Sequence, residues 1–180
     1  MSAAIEDLRH EHEAILSALR ILAKMTAEVG GDRQTVQEDR RSFIGFLKEF
    51  ADKCHHGKEE GFLFPAVAAA GIPDAAGLID ELLAEHVQGR GLIREMETAA
   101  SGAADSTGFA GAAAGYAELL TRHIGKENDR LFPAAEQGLS KAALDRLYEA
   151  FEEHEEKVIG QGRHEQLHEM LKGLKGKYAL

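Results

Sequence analysis

The chain has no tryptophan, three tyrosines, three prolines and a single cysteine in 180 residues. One cysteine, Cys54, allows no intrachain disulfide, so the fold must rest on its core. At this length one domain is expected, and roughly 70% of the unfolded surface can be buried without staples. No run approaches the roughly 18 apolar residues of a membrane span. The opening segment MSAAIEDLRHEHE lacks the basic start and apolar stretch of an export signal, so a cytoplasmic location is expected. Basic residues are also short, 21 Lys and Arg against 31 Asp and Glu. The net charge of −10 repels phosphate backbones and anionic lipid, which argues against a nucleic-acid or membrane partner. No phosphate-cradling glycine loop stands out, and neither does a Ser, Cys or Lys nucleophile beside a base, so nucleotide-dependent and hydrolytic chemistry rank low. What is present is a globular balance of 44% hydrophobic and 29% charged residues, and nine histidines.

Apolar residues recur at helical spacing almost throughout, which predicts an all-α fold. Ile5, Leu8, His12, Ile15, Leu16, Leu19 and Leu22 form one stripe, giving a first helix that ends at Gly30-Gly31. Asp32 is a candidate N-cap for a second helix, which runs through Phe43, Ile44, Leu47, Ala51 and His55 toward Pro65. After a loop at Ala70 to Asp74, a third helix carries Leu78, Ile79, Leu82, Leu83, His86 and Ile93. Small residues from Ala99 to Gly108 break it, and a fourth runs through Phe109, Tyr116, Leu119, Leu120 and His123 toward Pro133. Ser140 precedes a fifth, with a kink expected at Gly160-Gln161-Gly162 because each glycine lowers helix propensity by about 1 kcal/mol. Four long helices with short connections pack most simply as an up-and-down antiparallel bundle over residues 4–137, with a C-terminal helical extension over 140–178.

The most informative feature is an internal repeat. His55-His56-Gly57-Lys58-Glu59-Glu60-Gly61-Phe62-Leu63-Phe64-Pro65 aligns without a gap on His123-Ile124-Gly125-Lys126-Glu127-Asn128-Asp129-Arg130-Leu131-Phe132-Pro133, with seven of eleven positions identical. Each copy follows a helix carrying a Glu-His pair, Glu11-His12 and Glu85-His86. The chain therefore reads as a duplicated helical hairpin, each unit giving one His from its first helix and His-x-x-x-Glu from its second.

Side chains four apart share a helical face, so such a His and Glu can reach one metal or two neighbouring ones. A lone ion with four imidazoles and two carboxylates would have no open position. Two ions bridged by the carboxylates keep positions free for water, oxygen or peroxide. The nitrogen and carboxylate donors suit iron, manganese or zinc. The candidate ligands interrupt apolar stripes, and burying them without metal or partners would cost several kcal/mol. Stepping back by fours from His56 gives Asp52 and Lys48, a polar face. His55 and Glu59 are therefore expected at the metals, with His56 and Glu60 at the rim, orienting ligand imidazoles.

At Glu11-His12, His55-His56-x-Lys58-Glu59-Glu60 with Leu63-Phe64-Pro65, Glu85-His86, and His123-x-x-Lys126-Glu127 with Leu131-Phe132-Pro133, the chain resembles the hemerythrin-like HHE cation-binding family. The resemblance covers about residues 4 to 137. It implies a four-helix bundle around a non-haem di-iron centre, with His12, His55, Glu59, His86, His123 and Glu127 as ligands and a bridging oxo or hydroxo group between the irons. It also implies oxygen, nitric oxide or peroxide as ligand, and a possible redox partner. Oxygen-carrying hemerythrins have five His ligands, two of them four apart on the third helix, where this chain has Leu82. Redox chemistry or iron handling is accordingly favoured over reversible oxygen carriage.

Other residues could mislead or add to this set. Tyr116, two turns before His123, is expected in the core, with a gate or radical donor as the alternative. Glu156, Gly160, His164 and His168 fall at four-residue steps and read as a solvated face. The alternative is that Glu156 or His164 reaches over the bundle mouth to complete a metal's shell. Cys54 reads as a small buried hydrophobe.

Overall fold

The structure, a computed structural model, describes residues 1–27, 33–101, 106–160 and 162–178. The expected helix end at Gly30-Gly31, the Asp32 cap, the middle of the Ala99–Gly108 break and Gln161 lie outside the described residues. Among those described, every regular element is helical. Helix α1 spans Ala3–Ala27. The second rod is α2 (Arg33–Phe46), π-helical stretches at Leu47–His56 and Glu59–Leu63, and α3 (Phe64–Ala69). The third is α4 (Ala75–Ser101). The fourth is α5 (Ser106–Lys126), a π-helical turn at Glu127–Leu131, and α6 (Phe132–Gly138). Then come α7 (Lys141–Val158) and α8 (Arg163–Lys177).

Ser140 caps α7 as expected, its hydroxyl accepting the Ala143 N–H at 3.2 Å. The expected kink is a full break. Gly160 and Gly162 both take positive φ, 86° and 77°, a conformation open to glycine without steric cost, so α7 ends and α8 starts anew.

Helix α5 packs along α4 and α1, and α2 packs on α4, while α7 and α8 lie against α1 and the second rod. No described helix is long and apolar enough to cross a membrane. Two apolar clusters form the core. One gathers Ile15, Leu19 and Leu22 of α1 with Phe43, Phe46, Phe50, Ile93, Met96, Phe109, Tyr116 and Leu120, under Leu167, Leu171 and Leu174 of α8. The other gathers Ile5 and Leu8 with Leu63, Val67, Leu78, Leu82, Leu131 and Phe132, under Leu144, Leu147 and Phe151 of α7. Each of the four rods crosses from one cluster to the other, and at the crossing it carries a histidine or glutamate. The polar side chains thus form one buried layer between two apolar ones. Leu83, expected on the core stripe, instead faces outward at 36% exposure.

Candidate metal centre

The crossing layer contains His12, His55, His56, Glu59, His86, His123 and Glu127, none more than 2% exposed. The π-helical stretches explain the layer's composition. The Gly57 N–H bonds to the Asp52 carbonyl, Phe64 N–H to Glu59, and Phe132 N–H to Glu127, each reaching back five residues. In a π stretch, residues five apart align, and such insertions concentrate at functional sites. Pro65 and Pro133 sit in the first turns of α3 and α6. A proline ring would clash with the carbonyl four residues back in a tight α-turn, and the wider turn before each relieves it.

This winding corrects the sequence expectation for His56. Counting back by fours put it on a polar face at the rim. The five-residue spacing instead aligns it with Ala51 and Phe46, both fully buried, and His56 joins the central layer at 2% exposure. Its ring stacks on that of His86, centroids 3.8 Å apart. The layer therefore holds five imidazoles and two carboxylates. Glu60 lies at the edge of the layer, partly exposed.

The donor atoms converge in two groups. His12, His55, Glu59 and Glu127 offer ligand atoms within 4.8 Å of one another, and so do His56, Glu59, His86 and His123. The carboxylates link the groups. Glu59 Oε1 lies 3.6 Å from His55 Nε2 and its Oε2 3.5 Å from His86 Nε2. Glu127 Oε2 lies 3.2 Å from His12 Nε2 and its Oε1 3.3 Å from His123 Nε2.

Four imidazoles are aimed by a hydrogen bond behind the ring. His12 Nδ1 donates to Asn128 Oδ1 at 3.1 Å, His55 Nδ1 to Glu11 at 2.9 Å, His86 Nδ1 to Glu60 at 2.7 Å and His123 Nδ1 to Glu85 at 3.0 Å. An acceptor at Nδ1 fixes the tautomer and leaves the Nε2 lone pair facing inward. The Nε2 atoms of His86 and His123 then face each other at 3.0 Å. Two nitrogens bound at right angles about 2.1 Å from one ion would be about 3.0 Å apart.

The repeat's identical residues acquire roles here. Lys58 Nζ clamps Glu11 at 2.8 Å behind His55, and Lys126 likewise clamps Glu85 behind His123. Phe132 stacks on His12 of the other hairpin, centroids 5.2 Å apart, and Phe64 on His86 at 5.8 Å. Glu60 and Asn128 are repeat counterparts, and each aims the opposite hairpin's histidine. Glu11, Glu85, Lys58 and Lys126 recur in both copies of the repeat, which was the available signal, but their roles behind the histidines were not legible from the sequence.

Charge is concentrated to suit a cation. Burial opposes ionisation of Glu11, but the hydrogen bond and charge of His55, with Lys58, hold its carboxyl at about 2. Burial likewise opposes Glu127, and His123 and His12 overcome it, pushing the carboxyl well below its usual range. His56 moves the other way. Burial first, then the charges of His86, His55 and His123, press its pKa well below the usual value and keep it neutral, the form that ligates metal.

The fit to metal rests on unmet hydrogen bonding. Among the described residues, His12 Nε2, His55 Nε2, both nitrogens of His56 and all four oxygens of Glu59 and Glu127 are buried without a hydrogen-bond partner. Buried polar groups are ordinarily satisfied, and a set of orphaned donor atoms aimed at common points is what cations would satisfy.

The peripheral candidates fall elsewhere. Tyr116 is buried in the apolar core, its hydroxyl without a hydrogen-bond partner among the described residues, and burial raises its pKa. Glu156 is exposed, and His164 pairs with Glu155, so neither completes the central layer. Glu155, which sequence reading passed over, is the α7 carboxylate that reaches inward, accepting from Lys58 at 3.0 Å. Cys54 is buried and free, and burial pushes its thiol pKa up.

Comparison with curated proteins and with solved structures gave no significant match. The sequence profile of the hemerythrin HHE cation binding domain matches residues 3–135. That span takes in both hairpins and every residue of the buried layer, and the chain belongs to the hemerythrin HHE cation-binding domain family.

Proposed function

We propose that the chain is a non-haem dinuclear iron protein that binds or reacts with oxygen, nitric oxide or peroxide. In this reading the four rods run alternately up and down as an antiparallel bundle over residues 4–137, with 140–178 an added helical extension. His12 and His55 would hold one iron and His56, His86 and His123 the other, with Glu59 and Glu127 available to both. The observation that carries the proposal is that each carboxylate turns its two oxygens toward different imidazole groups, and among the described residues none of those oxygens has a hydrogen-bond partner.

Iron, when bound, would supply redox change and coordination positions that the protein leaves open. Two imidazoles and two carboxylate oxygens on one side, against three imidazoles and two oxygens on the other, make the two positions unequal. With one imidazole fewer, the first would leave an ion more room for an exogenous ligand. Phe132 and Phe64 wall the layer with apolar surface and exclude water. Glu11, Glu85, Glu60 and Asn128 keep the imidazoles pointed inward.

Iron content and the optical spectrum of protein reconstituted with ferrous iron test the proposal. About two irons per chain are expected, lost in the His55→Ala and His123→Ala variants. Adding peroxide then separates binding from turnover, since sustained oxygen evolution identifies a catalase-like enzyme. Helical protein that takes up no iron, and is unchanged by either substitution, overturns the reading.

A further inference from the structure

We propose that His164 and His168 form a second, mononuclear site for a divalent transition-metal ion on α8, outside the buried layer and beyond the span matched by the family. The two residues are one turn apart on one helical face, and their Nε2 atoms lie 2.9 Å apart. That is nearly the separation of the His86 and His123 nitrogens, 3.0 Å. His164 is also aimed from behind in the manner of His123: its Nδ1 donates to Glu155, as His123 Nδ1 donates to Glu85. Both rings pack on the buried Phe50, centroids 5.3 and 5.4 Å away, which holds them in place. A carboxylate behind one imidazole and an aromatic wall beneath both are the supports that turn two helical histidines into a chelate.

The surroundings favour a cation. Glu152, Glu153, Glu155, Glu156 and Glu165 line the cleft that opens beside His164 between α7 and α8. Their negative field raises the local concentration of cations. Two imidazoles, with water filling the remaining positions, suit zinc, nickel or copper(II) rather than calcium or magnesium. Without metal, the two facing nitrogens share one proton, which an ion would displace. Glu155 raises the pKa of His164, while burial and then the charge of His164 lower that of His168. An ion here would bridge successive turns of α8 and tighten its first half.

Zinc titration of the iron-loaded full chain by calorimetry tests this site, with iron content measured before and after. One zinc per chain is expected to bind without loss of iron, and to raise the melting temperature. In His164→Ala and His168→Ala the dissociation constant should rise at least about tenfold and the thermal shift disappear. His10→Ala, altering an exposed histidine on α1, should leave both unchanged. Because His168 is exposed, its variant should keep wild-type helicity by circular dichroism. Zinc binding that is equal in the wild type and both variants, or that occurs only as iron leaves, overturns the proposal. If the chain takes up no iron, the same difference between wild type and variants still decides it.

Discussion

Lys58 is fully buried, donating to Asp7, Glu11 and Glu155, whereas its repeat counterpart Lys126 is about a quarter exposed and donates to Glu81 and Glu85. Cys54 is buried where the second hairpin has Arg122 in solvent. A Cβ on Gly57 would come within 2.5 Å of His154 of α7, while among the described residues one on Gly125 would meet nothing within 4 Å. These differences have one cause: α7 and α8 cover the outer face of the first hairpin and leave the second to water. Inside, the two halves stay alike, Glu11 and His55 matching Glu85 and His123, and Glu59 matching Glu127. One difference inside is His56 opposite Ile124, which makes the two groups of donor atoms unequal. The duplicated hairpin has thus kept its inner face and diverged where a further layer covers it.

The largest expected effect tests the likeness. Because Glu59 and Glu127 each face both donor groups, Glu59→Ala and Glu127→Ala should each take iron content from about two per chain to under one. Retention of one iron in either variant would break the symmetry of the bridge.

The lysines test the difference. Lys58→Met removes the ammonium shared by three carboxylates, Glu11 among them deeply buried, and should cost about 3–5 kcal/mol in denaturant unfolding. Lys126→Met, at a partly exposed ion pair, should cost under about 1 kcal/mol. Equal losses would mean that the C-terminal helices do not seal the first hairpin.

The glycines give a smaller contrast. Gly125→Ala should be neutral or stabilise by about 0.5–1 kcal/mol in thermal unfolding, since alanine suits a helix better and nothing stands in its way. Gly57→Ala should destabilise, because His154 must leave its 3.0 Å bond to the Lys53 carbonyl.

The smallest effect is on pH. Glu155 raises the His164 pKa above 6.5 against burial, with Glu11 aiding and Lys58 opposing. The His164 hydrogen bond, against burial and with help from Lys58, lowers Glu155 below 4.5. A raised histidine stabilises fully below 6.5 and loses that contribution as pH rises through its folded value. A lowered glutamate stabilises above 4.5 and loses it as pH falls. The tie between α7 and α8 should therefore be strongest between those values. Amide exchange in α8, corrected for intrinsic rates, should quicken above that window relative to α4, and His164→Asn should abolish the trend.

Much of this was legible in the sequence. The apolar stripes gave the four rods because 3.6-residue periodicity follows from burying one helical face, and Ser140 marked the start of α7 through its cap. The repeat exposed the buried glutamates and four of the histidines. His56 was not legible by the same rule, because counting by fours assumes α-helical winding and the chain winds wider between Leu47 and His56. The apolar spacing within that stretch does not signal the change of winding, so a count by fours misses it. Glu155 was hidden for another reason, since a run of glutamates at 152, 153, 155 and 156 does not say which one turns inward until α7 is docked on Lys58.

The central claim is that two irons share Glu59 and Glu127. Mössbauer spectroscopy of protein loaded with iron-57 and oxidised addresses it most directly. Two ferric ions coupled through common bridges should give quadrupole doublets without magnetic splitting at liquid-helium temperature. Magnetically split spectra from isolated ferric ions, at one iron per chain, would contradict the account.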